Sequence, residues 1–405
     1  MGGCAGRLPR WCTGCSFRLK PPTDDLILDL MRSPQQPDCL VVGAGVVGLS
    51  VALSLARRGG KVRILERATK CGQAASAAAA GMLAEGAEVS AEGPFQNLCR
   101  QSRALWPNWA AELMAETGVD CELERTGLLR VTSSAEVSQR LSASRGWQLS
   151  HGVEVSDRLN PAELRKVLPG LGGSVVAGFR FPGDWHVHSH RVVDALVAAC
   201  GVHGVEIETD VEVTALEPGS GRPRIRFNHD QGLEADYVVI CAGSWSGGVL
   251  SGAVKRDCRV EPIRGQIVAL DPGRPLLPLI LYGDDGYLLQ KRSGLVLVGT
   301  TEEHVGYRPW PTAEGIELLT GIARALLPEL AEARFAYAWA GLRPHAADGL
   351  PLLGRLEAGG RVLVATAHYR NGVLLAPITG ELIAKAVLEG EDPPALAAFS
   401  PQRWA

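Results

Sequence analysis

Apolar residues run unbroken from Cys39 to Val42, the pattern of a strand buried on both faces. Gly43, Gly45 and Gly48 follow, and the spacing then turns helical and amphipathic to about Arg58, where Gly59 and Gly60 end it. A second apolar block, Val62 to Leu65, closes on Glu66. Strand, glycine-rich turn, helix and strand make a βαβ unit of about 30 residues. Two further apolar blocks stand far along the chain: Ala235 to Ala242, bounded by Gly243, and Val362 to Ala365. The second leads through the loop His368 to Gly372 into a helix reaching about Leu388. These separated segments predict an α/β fold around one parallel, doubly wound, Rossmann-like sheet.

The stretches 91–170 and 261–340 read differently, with alternating strands such as Gly127 to Thr132, Gln266 to Leu270 and Tyr287 to Gln290 between helical segments. They predict a second α+β domain built on an antiparallel sheet. The expected division gives 38–90, 171–260 and 341–400 to a discontinuous dinucleotide-binding domain and 91–170 with 261–340 to a substrate-binding domain. Residues 1–37 carry Pro9, Pro21, Pro22, Pro34 and Pro37 with several arginines, and only Leu26 to Met31 suggests a helical turn. A disordered extension is expected there, or a start site placed ahead of Met31. The stretch lacks the apolar centre of a secretory signal.

Composition narrows the function class. A charged fraction of 21%, a net charge of -3 and the lack of a basic run give no expectation of a nucleic-acid or membrane-surface partner. No apolar stretch approaches the ~18 residues of a transmembrane helix. Ten scattered cysteines suit reduced thiols in a cytoplasm. The close pair Cys12 and Cys15 has no second pair or histidines at ligand spacing, and His186 and His188 lack a third ligand, so no metal is expected.

The glycines carry the first chemistry. Gly43 permits a tight turn, Gly45 lets backbone approach a pyrophosphate, and Gly48 allows close helix–strand packing, while Glu66 stands where a ribose would need an acceptor. A bare glycine-rich turn is the alternative, and the motif does not separate FAD from NAD. Gln73 to Met82, QAASAAAAGM, is a run of small side chains suited to lie against a large flat cofactor, or else a plain alanine-rich helix. Arg343 sits in the apolar context AWAGLRPH, where a lone guanidinium is costly, so an anionic partner is expected: a substrate carboxylate, or an internal Asp or Glu. Tyr287, in DDGYLLQ, is on its residues alone compatible with an ordinary strand aromatic.

The segments DCLVVGAGVVGLS, SAAAAGMLAE, DYVVICAGSWSG, PIRGQ, YAWAGLRPHAADGLPLLG and AHYRNGVLLAPITGELIA together resemble the glycine oxidases of the D-amino-acid oxidase family, from Asp38 to about Phe399. The resemblance implies non-covalent FAD, since the last cysteine, Cys258, lies well before the Arg343 region where some relatives attach flavin. It places Val46, Val47, Glu66, Arg67, Ala75, Ser76, Ala80, Gly81, Met82 and Val211 against the cofactor. It sets His368, Tyr369, Arg370, Asn371, Gly372, Val373 and Leu374 around the flavin ring, where the helix N-terminus after Asn371 would stabilise negative charge. It gives Arg343, Arg370 and Tyr287 to the substrate. The implied activity is oxidative deamination of glycine, sarcosine or small D-amino acids with oxygen, serving thiamine thiazole synthesis, in a homotetramer. A dehydrogenase of the same family, and a flavin-binding subunit without its own turnover, are the rival readings.

Overall fold

The structure, a computed structural model, describes residues 39–217, 221–228, 231–251 and 260–404. The expected N-terminal extension, with Cys12, Cys15 and Met31, lies outside these residues, as does Cys258.

The strand Cys39–Val42 has all four residues buried, which is why its apolar block is unbroken. It pairs in parallel with Val62–Leu65 on one side and Tyr237–Ile240 on the other. The six-stranded sheet continues outward through Val362–Thr366 to Leu352–Arg355 at one edge and to Glu206–Glu208 at the other. Only the edge strand Leu352–Arg355 runs antiparallel. Side chains alternate between two cores. Cys39 and Val41 pack on a layer of helices, Val46–Ala56, Pro94–Thr117, Ser189–Val202 and Gly372–Glu389. Leu40 and Val42 pack on a three-stranded antiparallel sheet, Val213–Glu217, Arg224–Phe227 and Gln231–Glu234.

The second large sheet has seven strands in the order Arg334–Ala346, Val260–Asp271, Val296–Gly299, Tyr287–Gln290, Ile280–Tyr282, Leu128–Thr132 and Ala177–Phe181. Its pairings are antiparallel except between Ile280–Tyr282 and Leu128–Thr132. Val268 and Leu270 point into a core shared with the helix Ala313–Leu326, whereas Ile267 and Ala269 point into another that contains Tyr287.

Sheet membership places some segments differently from the expected division. Ala177–Phe181, grouped by sequence with the dinucleotide half, pairs with Leu128–Thr132 in the seven-stranded sheet. The helix Pro94–Thr117, grouped with the other half, buries Leu98, Trp106 and Leu113 in the helical layer over the parallel sheet. The expected break at 341 falls inside the continuous strand Arg334–Ala346. An amphipathic pattern reports that a helix has a buried face, not which sheet covers it. Among the described residues, no helix is long and apolar enough to cross a membrane, and no three His, Cys, Asp or Glu side chains are placed to hold a metal ion.

Candidate active site

A cavity open to solvent, about 1580 Å³ with the solvent at its mouth included, lies between the two large sheets. Gly43, Gly45, Val46, Val47, Glu66, Arg67, Ala75, Ser76, Ala80, Gly81, Met82 and Val211 line it, with His368, Tyr369, Arg370, Gly372, Val373, Tyr287 and Arg343. The fold therefore gathers most of the sequence-predicted residues into one space. Three do not border it. Gly48 lies behind the turn, where a Cβ would come within 2.0 Å of the Gly43 carbonyl oxygen. Asn371 precedes the helix and donates its N–H to the His368 carbonyl at 2.9 Å. Leu374 turns into the core, and its carbonyl accepts from Ser102 Oγ at 2.6 Å and Trp106 Nε1 at 3.0 Å.

At one end, the first strand runs into Gly43, whose φ of 104° suits only glycine. The Glu66 carboxylate accepts from the Ala44 N–H at 2.6 Å and the Ala68 N–H at 2.9 Å, fixing the turn against the end of the second strand. Ser76 Oγ accepts from the Val46 N–H at 2.9 Å, capping the helix that starts there. The alanine run is a single turn, Ala75–Ala78, followed by backbone that continues along the cavity to Met82; it is not a plain helix. Arg67 lies over the Trp245 ring at 3.4 Å, a contact the sequence did not suggest.

At the other end, Arg343 donates from Nη1 to the Thr301 carbonyl at 3.1 Å and from Nη2 to Thr300 Oγ1 at 2.5 Å. Among the described residues it has no carboxylate partner, so the internal ion pair allowed by sequence is not formed. Burial, then the Arg370 charge, pulls its ionisation below the usual range. Gly265 makes room for it: a Cβ there would lie 2.0 Å from Arg343 Nη2. Burial pushes the Tyr287 phenol upward, so it stays protonated as a donor, and its hydroxyl makes no hydrogen bond among the described residues. Tyr369 sits beside Arg343, 6.0 Å from guanidinium to ring, and burial and Glu302 push it up to about 12. His368 is buried with Nε2 3.0 Å from Thr379 Oγ1, and burial lowers it to about 3, so it is neutral.

Arg370, expected on the substrate, is already engaged. Its Nη2 donates to Glu88 Oε1 at 2.8 Å and to Tyr282 Oη at 2.9 Å, and the Glu88 charge raises its ionisation further. Glu88 lines the cavity and was not found from sequence; its partner lies 282 positions away. Lys291 was also missed. It is buried, donates to the Ala80 and Val187 carbonyls at 2.7 Å each, and is lowered to about 7 by burial.

The segment before Glu88 is held by Asp184, which is 1% exposed and accepts from the Gly86 and Ala87 N–H groups at 2.8 Å each. Burial lifts Asp184 to about 8 against the pull of those two amides. A carboxyl raised on folding binds more protons in the native state, so its contribution is complete below 3.8 and fades as pH rises through about 8. Thermal melts across this window should show Asp184→Asn less stable overall but with a flatter decline toward pH 8; an unchanged slope would contradict the assignment.

Comparison with known proteins bears on this geometry. Residues 38–386 match the family described as FAD dependent oxidoreductase, DAO. The chain belongs to that family. It is 33% identical to glycine oxidase of Geobacillus kaustophilus over 90% of this chain and 96% of that one. The crystal structure of glycine oxidase from the same organism superposes with a TM-score of 0.86 over 91% of this chain and 99% of that one. The bifunctional protein ThiO/ThiG of Synechocystis is 34% identical over 91% of this chain but only 54% of its own length, so the chain spans about half of that relative.

The chain is thus an FAD-dependent oxidoreductase, and the cavity fits the cofactor on its own evidence. Gly45 has an ordinary φ of -74°, and a Cβ there would meet only Ser76 Oγ, at 3.3 Å. Its lack of a side chain serves the cavity and not the backbone. The N-terminus of Val46–Ala56 and the Glu66 carboxylate border the same space, supplying positive potential for phosphates and an acceptor for hydroxyls.

Proposed function

We propose that this enzyme oxidises the C–N bond of a small α-amino acid, glycine foremost, with sarcosine and D-alanine as further substrates, giving glyoxylate and ammonia from glycine. The observation that carries the reading is Arg343, a half-buried guanidinium in the cavity without a carboxylate partner among the described residues, with the Tyr287 phenol on the same wall. The names of the relatives, glycine oxidase and ThiO/ThiG, support it. In this reading the parallel-sheet half binds the cofactor and the antiparallel half presents the substrate. The imine product would feed thiamine thiazole formation, and the chain would work as a homotetramer in the cytoplasm.

Arg343 supplies two parallel N–H donors that match a carboxylate, and Tyr287 adds an O–H. Together they fix the substrate at one end, so that only one face of its Cα reaches the cofactor. Non-covalently bound FAD would supply the acceptor for the Cα hydride and the route of the two electrons to oxygen, with hydrogen peroxide as the product. The N-terminus of Gly372–Glu389 borders the cavity through Gly372 and Val373 and offers unpaired N–H groups to developing negative charge. No side chain need act as a strong base, because the nitrogen lone pair of a neutral amine drives hydride loss.

Two measurements test this reading. With glycine, kcat/KM is expected to rise with pH as the free amine is deprotonated, and deuteration at Cα should slow anaerobic flavin reduction. Absence of an isotope effect in a single turnover, where product release cannot mask chemistry, would count against hydride transfer. Peroxide formed in step with oxygen consumed distinguishes an oxidase from a dehydrogenase. Anaerobic bleaching by glycine alone excludes a subunit without its own turnover.

A further inference from the structure

We propose that Glu88 binds the substrate nitrogen through a hydrogen bond to its free carboxylate oxygen, and so restricts the enzyme to primary and secondary amines. The inference rests on the amino-acid oxidase reading above and adds the residue that recognises the amine. Glu88 lines the cavity with Tyr287, Arg343 and Arg370, and its side chain is 11% exposed. Oε1 is used by Arg370, whereas Oε2 has no hydrogen-bond partner among the described residues. The other carboxylates on the cavity wall are Glu66, tied to the glycine turn, and Glu212, beside Val211.

The fold fixes this one carboxylate with unusual thoroughness. Asp184 accepts both the Gly86 and Ala87 N–H groups, Gln148 Nε2 donates to the Gly86 carbonyl at 3.1 Å, and Arg130 Nη1 donates to the Ala87 carbonyl at 2.7 Å. Three side chains from separate segments thus saturate the two residues that precede Glu88. A counter-ion for Arg370 alone could sit on any rotamer that reaches it; a group aimed at a ligand needs its backbone held. Hydride loss in the reading above already requires the nitrogen as a neutral amine. An ionised carboxylate only accepts hydrogen bonds, so that nitrogen must carry a hydrogen. Glycine and sarcosine retain one as free amines, and N,N-dimethylglycine does not.

The test compares holoenzyme with Glu88→Gln and Glu88→Asp, each first checked for flavin content. Anaerobic flavin reduction gives apparent Kd for glycine, sarcosine and N,N-dimethylglycine, and the perturbed visible spectrum gives Kd for acetate, which has no nitrogen. In Glu88→Gln, glycine and sarcosine should bind roughly ten- to a hundredfold more weakly. Acetate should bind more tightly, since the positive field of Arg370 is no longer offset. The wild-type preference over N,N-dimethylglycine should shrink, and Glu88→Asp should fall between. Glycine and acetate moving in the same direction, neither moving, or both variants losing flavin would assign Glu88 a structural role and overturn the proposal. Wild-type flavin that none of these amines bleaches would instead reject the oxidase reading itself, and this inference with it.

Discussion

Arg343→Ala should lower kcat/KM for glycine by roughly 30- to 5000-fold with flavin content unchanged. The range follows from the ~2–5 kcal/mol cost of removing one partner of a desolvated, hydrogen-bonded charge pair. Arg343 is the group on which the substrate reading depends, because its guanidinium is satisfied by Thr300 and Thr301 and by no acid among the described residues. The FAD turn, with Gly43, Glu66 and Ser76, makes no contact with it, so cofactor binding should survive. Lysine should restore only part of the activity, since a point charge does not reproduce the two-pronged geometry that orients Cα. A neutral amine without a carboxylate should be nearly indifferent to the change. If glycine turnover falls less than about threefold in fully flavinated Arg343→Ala, the carboxylate site lies elsewhere.

Gly45→Val should give a folded protein that is colourless. At Gly43 a side chain would be excluded twice, by φ and by the Cys241 carbonyl oxygen 2.6 Å from the Cβ, so loss of colour there would not separate misfolding from lost binding. At Gly45 the backbone is ordinary and the nearest neighbour is one hydroxyl, so added bulk occupies the cavity where the helix N-terminus would meet phosphates. Circular dichroism should match wild type while the visible flavin bands vanish. A yellow Gly45→Val protein would show that the pyrophosphate does not pass this turn.

The sequence carried the parts of the fold whose cause is local. The βαβ unit was legible because four buried residues per strand leave an unbroken apolar block, and Tyr287–Gln290 was legible with its bounds. Val260–Asp271 was seen only in part, as Gln266 to Leu270, because Pro262, Arg264 and Gly265 interrupt the apolar pattern while still pairing with Arg334–Ala346. Most of the expected site residues line the cavity, since their motifs mark backbone features and unusual charges. Glu88 and Lys291 escaped for a physical reason. Each looks ordinary among its neighbours and acquires meaning from partners more than a hundred positions away. Arg370 was half legible: its place on the cavity wall could be read, its engagement with Glu88 could not.

Because the cavity is walled by both sheets, with Gly43 and Glu66 on one side and Ile267, Tyr287 and Arg343 on the other, its contents act as mortar between them. A ligand that touches both walls must let go before they part, so its binding free energy is added to the work of unfolding. At free concentrations a hundred times Kd this is worth ~2.7 kcal/mol, comparable to a large core substitution. The durability of the protein in a cell is then set partly by cofactor supply: a chain short of FAD is not only idle but also easier to take apart.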